Sequence, residues 1–267
     1  VKVCVAQFAT SLDTGANRRA ALTSVAEAAA LGAALVVLPE ATMCSFGGPD
    51  TDLVPLAEPL DGPFVTALTE AAATAGVTVV AGTFEPSARP GKVRNTVVVV
   101  GPEGLVAAYR KLHLYDALGW QESDRVEAGD PVADGVVVFG LEGVVFGVMT
   151  CYDLRFPEMA RALTDKGATA LVVPAHWLAG PGKAEAWEVL LRARAIESTA
   201  YVVAAAKPGP EATGRSMVVG PTGEVLAALG ADEEGLAVAD LSAARVEEVR
   251  AGLPVLAHRR FDVSPRG

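Results

Sequence analysis

"GAALVVLPE" at residues 32–40 and "GATALVVPAH" at residues 167–176 nearly superpose. Each opens on glycine, runs through a short apolar stretch, and passes a proline to reach a polar side chain, Glu40 in one and His176 in the other. Such a run, bounded by turn residues, reads as a buried strand. A second pair of like segments, "VVGPEGLVAA" (99–108) and "VVGPTGEVLAA" (218–228), reads as two hairpins with Gly-Pro turns. Both pairs recur in the same order, which points to an internal duplication.

The flanking sequence agrees. In the first half "VKVCVAQF" reads as a strand, "NRRAALTSVAEAAALG" as a helix closed by Gly32, "PFVTALTEAAATAG" as a helix and "VTVVAGTF" as a strand. In the second half "GVVFGVMTC" and "AYVVAAA" read as strands, and "PEMARALTDKG" and "KAEAWEVLLRARAIEST" as helices. Each half would form a sheet covered by helices on one face and bare on the other. Packing the bare faces together gives an α/β fold, a four-layer α-β-β-α sandwich with an internal pseudo-two-fold repeat. No linker rich in Pro, Gly or Ser separates the halves, so residues 1–267 are expected to form one domain.

With 51% hydrophobic and 20% charged residues the chain is globular in composition. A net charge of −10 argues against a nucleic-acid partner, which needs a basic surface. No basic amphipathic stretch suggests membrane attachment, the apolar runs are too short to cross a bilayer, and "VKVCVAQF" lacks the marks of a signal peptide. Three dispersed cysteines, Cys4, Cys44 and Cys151, fit neither a disulfide framework nor a zinc site. A cytoplasmic protein without metal is expected.

In α/β sheets functional groups gather just past the strand ends. The strands deliver Glu40, Arg110, Lys111, His113, Cys151 and the pair His176–Trp177 there. Each has a plainer reading by itself. Glu40 suits a solvated loop, Lys111 the surface, and Arg155 a local pair with Asp153 or Glu158. His113 suits a hydrogen-bonded structural role, and Cys4 and Cys44 suit packing. Together, a carboxylate, an ammonium and a thiol are chemically complete for attack on an amide. A thiol needs a base to take its proton, the oxyanion needs donors or positive charge, and the departing amine needs a proton.

Three segments, "LVVLPEATM", "YRKLHLYD" and "VMTCYDLRFPE", stand in that order, and with them the sequence resembles the nitrilase superfamily of carbon–nitrogen hydrolases over nearly its whole length. The resemblance implies a Glu40–Lys111–Cys151 triad, the same sandwich, and a homodimer or higher homo-oligomer. "GWQESDRVEAGD" places Glu122 where the family carries a second glutamate, which would orient Lys111 or the substrate. "CYDLRFPE" and "WEVLLRARAIES" look most like the Nit-type branch, which includes ω-amidase and deaminated glutathione amidase. Two segments that line the family's pocket depart from that branch: His176–Trp177 replaces its usual "AF", and "GPGKAEAW" its "TGPAHW".

The expected reaction is cysteine-dependent hydrolysis of a small, carboxylate-bearing amide to acid and ammonia through a thioester, with no cofactor. Glu40 is the base and then the acid. Lys111 and the Tyr152 N–H hold the oxyanion, the Arg155 fork suits a carboxylate, and His176 and Trp177 line the pocket. Alternatives are an N-carbamoyl compound or nitrile on the same triad, a cysteine-protease-like pair of Cys151 with His113 or His176, or a non-catalytic partner-binding protein. The tail "HRRFDVSPRG" (258–267) reads either as an arm across a subunit boundary or as a frayed terminus.

Overall fold

The computed structural model describes residues 1–265. Its first sheet begins with β1 (Lys2–Gln7), where alternation sets the layers. Val3 and Val5 face inward toward the second half, while Cys4 and Ala6 face the helices α1 (Thr14–Ala30) and α2 (Pro63–Ala75). The α1 helix starts earlier than its apolar pattern suggests, because the Asp13 side chain accepts from the Ala16 N–H at 2.8 Å and caps the first turn. α2 opens on Pro63 and closes at Gly76, whose φ of +69° is the left-handed turn that glycine permits.

β1, β2 (Leu35–Val37) and β3 (Thr78–Pro86) run parallel. β4 (Val93–Gly101) and β5 (Gly104–Arg110) add an antiparallel hairpin, as the Gly-Pro turn predicts. A two-residue hairpin follows, β6 (Asp116–Ala117) with β7 (Trp120–Gln121).

The second sheet repeats the plan. β8 (Val138–Leu141) pairs antiparallel with β9 (Val144–Val148), and β9 runs parallel to β10 (Ala170–Ala175) and β11 (Tyr201–Ala206). β12 (Met217–Val219) and β13 (Val225–Ala228) supply the antiparallel hairpin. Helices α3 (Pro157–Asp165) and α4 (Lys183–Ser198) cover the outer face. Then β14 (Gly235–Asp240) crosses back to pair antiparallel with β1, and α5 (Ala243–Gly252) follows.

The two sheets, ordered β14-β1-β2-β3-β4-β5 and β13-β12-β11-β10-β9-β8, are therefore topological copies. Val3, Val5, Leu35, Val37, Val80, Val97 and Val99 from one sheet join Val148, Val172 and Val203 from the other in one apolar core. Fully burying such a side chain contributes roughly 1.5–3 kcal/mol, so this seam is the main attraction between the halves. The structure has the α/β sandwich layering expected from the repeat. Arg259 of the tail folds back to pair with Asp165 at the end of α3; residues 266 and 267 of that segment lie outside the described residues. No helix among the described residues is long and apolar enough to cross a membrane.

Candidate active site

The parallel strands of both sheets end at one place. Glu40 follows β2, Cys151 follows β9 and His176 follows β10, while Lys111 follows the edge strand β5. The backbone is bent hard at two of these points. Cys151 has φ +47° at the head of a 3₁₀ turn (Cys151–Arg155), and Ala41, directly after Glu40, has φ +52°. Non-glycine residues reach this region only when the surroundings hold them there. The Asp153 carboxylate helps hold the first by accepting the Thr150 N–H at 2.9 Å, and the Thr150 hydroxyl donates to the Pro174 carbonyl at 2.8 Å.

Glu40 is buried, and its Oε1 accepts from Lys111 Nζ at 2.9 Å and Asn95 Nδ2 at 2.8 Å. Its Oε2 accepts the His176 backbone N–H at 2.8 Å. Lys111 Nζ also donates to both Glu122 oxygens, at 3.1 and 2.8 Å, and Asn95 Nδ2 donates to Glu122 Oε1 at 3.1 Å. The Tyr115 N–H closes the ring on Glu122 Oε2 at 2.7 Å. The Cys151 Sγ lies 3.6 Å from the His176 carbonyl, its acceptor.

Electrostatics fix the resting charges. Burial alone would raise the Glu40 carboxyl, but the charge and hydrogen bond of Lys111, with donors from Asn95 and His176, hold it at about 2. Burial would pull the Lys111 ammonium down; the charges of Glu122 and Glu40 outweigh it and keep the group well above its usual value. Burial pushes the Cys151 thiol well up, the nearby Glu40 charge adds to this, and Lys111 opposes it. At neutral pH the cluster therefore holds a carboxylate, an ammonium and a neutral thiol. Burial and then the Lys207 charge pull the His176 ring down to about 3, leaving it uncharged.

Glu40, Lys111, Glu122, Cys151 and His176 share one cavity with Phe46, Tyr115, Trp120 and Leu178. It encloses about 310 Å³, solvent at its mouth included, the lower end for a small-molecule site. The remaining expected contacts, Tyr152, Arg155 and Trp177, are not part of its wall. The Tyr152 ring packs edge-on to Tyr115 and Phe156, and its backbone N–H lies in the first turn after Cys151, where no helical carbonyl precedes it. Trp177 is buried, with its indole N–H donating to the Lys183 carbonyl at 2.9 Å. Arg155 lies over that indole, 4.8 Å from the ring centroid. It pairs with neither Asp153 nor Glu158; Asp153 is taken by Tyr109 and His113, each at 2.7 Å. His113 also stacks on Phe156, and among the described residues neither histidine ring forms a hydrogen bond with the Cys151 thiol.

Sequence reasoning missed Asn95 and Lys207. Asn95 sits mid-strand in "RNTVVVV", and a single polar residue in an apolar run was its only signal. Lys207 directly follows β11, so the strand-end rule applied once more would find it. Its buried ammonium donates to the Ala41 carbonyl at 3.0 Å and to the Thr10 hydroxyl.

The sequence profile described as "Carbon-nitrogen hydrolase" matches residues 2–251. The chain is 40% identical over 260 residues to the deaminated glutathione amidase of Escherichia coli O157:H7, covering 97% of each chain. It is 34% identical over 274 residues to the omega-amidase NIT2 of Xenopus tropicalis, covering 98% of this chain and 96% of that one. Among solved structures it resembles Saccharomyces cerevisiae Nit3, a member of branch 10 of the nitrilase superfamily. That match has a TM-score of 0.84 and 28% identity, and it covers 98% of this chain and 97% of the other.

Proposed function

The chain belongs to the carbon–nitrogen hydrolase family and is an amidase-type enzyme acting on C–N bonds; from that premise we propose that it hydrolyses a small, carboxylate-bearing amide through a thioester on Cys151. The observation that carries this reading is the convergence of Cys151, Glu40 and Lys111 on one small cavity. The relatives named above favour an amide of a small acid. A buried cation bonded to the cavity wall, Lys183 on the Tyr115 hydroxyl, favours the carboxylate.

The resting charges dictate the order of events. The thiol is neutral and Glu40 is a weak base, so thiolate does not accumulate; the proton moves to Glu40 as sulfur attacks the carbonyl carbon. As the C–S bond forms, the carbonyl electrons move onto oxygen, where the Lys111 ammonium and the Tyr152 N–H receive them. Protonated Glu40 passes its proton to the leaving nitrogen, the C–N bond breaks, and ammonia departs. A water then loses a proton to Glu40 and attacks the thioester. The C–S bond breaks, and Glu40 returns the proton to sulfur. Glu122 keeps Lys111 aimed and charged throughout, and Asn95 holds the two carboxylates apart from each other and against Lys111. The family resemblance extends the proposal to a cytoplasmic homo-oligomer, each chain working as one unit over residues 1–267.

Intact-mass measurement after a rapid quench with the amide tests the chemistry. An acyl adduct on the wild type that is absent from Cys151→Ser, together with loss of ammonia release, is the expected result. Hydrolysis that continues in Cys151→Ala would overturn it.

A further inference from the structure

Lys183 is the first residue of α4, the end of a helix where a positive charge is the unfavourable sign. Gly182, at φ +68°, turns the chain into the helix there. The Lys183 side chain is buried between two aromatic faces, with Nζ 4.6 Å from the Tyr115 ring centroid and 5.7 Å from that of Trp177. Nζ donates to the Tyr115 hydroxyl at 2.8 Å. An ammonium has three N–H donors, and among the described residues no carboxylate forms an ion pair with this one. Aromatic faces offset only part of what burying such a charge costs.

The partner hydroxyl is equally uncommitted. Tyr115 Oη accepts from Lys183, and among the described residues its own hydrogen has no acceptor. Tyr115 forms part of the cavity wall with Cys151, and it is fixed to the Glu122 segment by a reciprocal pair of bonds. Its N–H donates to Glu122 Oε2 at 2.7 Å, and the Glu122 N–H donates to its carbonyl at 3.2 Å. The Trp177 indole bond to the Lys183 carbonyl pins the start of α4 to the end of β10. A phenol polarised by an ammonium, beside spare N–H donors of that ammonium, is a fitting receptor for one carboxylate.

We propose that Lys183 and Tyr115 form the subsite that takes the carboxylate of the substrate, and that this pair, not Arg155, sets the preference for an acidic amide. The proposal rests on the amidase reading above for the identity of the ligand. Neither cation is itself part of the cavity wall, but Lys183 is bonded to Tyr115, which is, whereas Arg155 packs on the indole of Trp177, which is not, a role in which its stem and plane matter more than its charge.

Two readouts test it. The first is the ratio of kcat/KM for glutaramate to that for its neutral analogue valeramide, in wild type, Lys183→Met, Lys183→Arg and Arg155→Met. Removing one charged hydrogen-bonding partner should cut the ratio about tenfold or more through KM in Lys183→Met. Lys183→Arg and Arg155→Met should keep most of it. A ratio unmoved by Lys183→Met, or one that collapses only in Arg155→Met, overturns the proposal. The second readout needs no turnover: glutarate should slow iodoacetamide alkylation of Cys151 in wild type and Lys183→Arg but not in Lys183→Met. If neither amide is hydrolysed, the amidase substrate reading fails while this protection still decides the subsite. If valeramide is hydrolysed but glutarate gives no protection, the subsite fails and the amidase reading stands.

Discussion

Asn95 shows how much of a site one uncharged side chain can carry. Its amide nitrogen donates to Glu40 and Glu122 at once, while its Oδ1 is buried without a partner among the described residues. That orientation is forced, because turning the amide round would aim a carbonyl at two carboxylates. An orphaned buried acceptor is destabilising, so the position is not optimised for stability. Asn95→Leu should keep the fold yet free both carboxylates to turn, and a misplacement of about 1 Å can cost roughly 10²-fold in rate. Steady-state kinetics should show kcat falling with little change in KM; an equal rise in KM would mean that Asn95 shapes the pocket instead. Glu40, Lys111, Glu122 and Cys151 were legible because their chemistry is incongruous at strand ends or matches a family segment. Asn95 was not, since nothing in one strand of sequence says which side chains lie opposite a mid-strand amide.

At the scale of an element, β3 explains why Glu40 can sit where it does. A Cβ at Gly82 would lie 2.3 Å from the Ala41 nitrogen and 2.9 Å from the Glu40 Cα, so the loop after β2 rides directly on a bare stretch of its neighbour. The Met43 N–H donates to the Gly82 carbonyl at 3.1 Å and keeps it there. Gly82→Ala has to lift that loop, with overpacking of about 1–3 kcal/mol. Thermal unfolding should drop by several degrees, and the activity loss should exceed what the stability loss explains. An unshifted melting point with full activity would show the loop to be compliant. The buried strands and amphipathic helices were readable by period. β14 was not, because its residues are half-buried at best and a mixed pattern at a sheet edge gives neither alternation nor a clean apolar run.

For the whole molecule, the duplicated segments foretold the facing sheets, but nothing local could foretell the ties between halves. Lys207 is one, reaching from the end of β11 to Ala41 and Thr10. Burial first, against the charges of Glu40, Cys44 and Cys151, lowers its ammonium from 10.5 to about 8. Between those values the unfolded chain binds a proton that the folded chain has lost, so this group makes stability rise as pH climbs through that window. Urea melts should show wild type gaining on Lys207→Met from pH 8 to 10.5; a constant difference would mean that the ammonium stays charged. The repeat also fixes the location of the cavity. Gly32 matches Gly167 and Ala34 matches Thr169, because the Ala34 N–H donates to the Lys2 carbonyl just as the Thr169 N–H does to that of Val145; this makes Ala175 the mate of Glu40 and Phe8 the mate of Cys151. Glu40 accepts the N–H of His176, the residue after Ala175, so the ends of matching strands meet across the approximate dyad. A crevice astride such an axis exists once for two halves, and its opposing sides start out alike. Handedness there comes from substitution alone: cysteine against phenylalanine, glutamate against alanine. Whatever enters meets sulfur from one half and carboxylate from the other, and so has a front and a back.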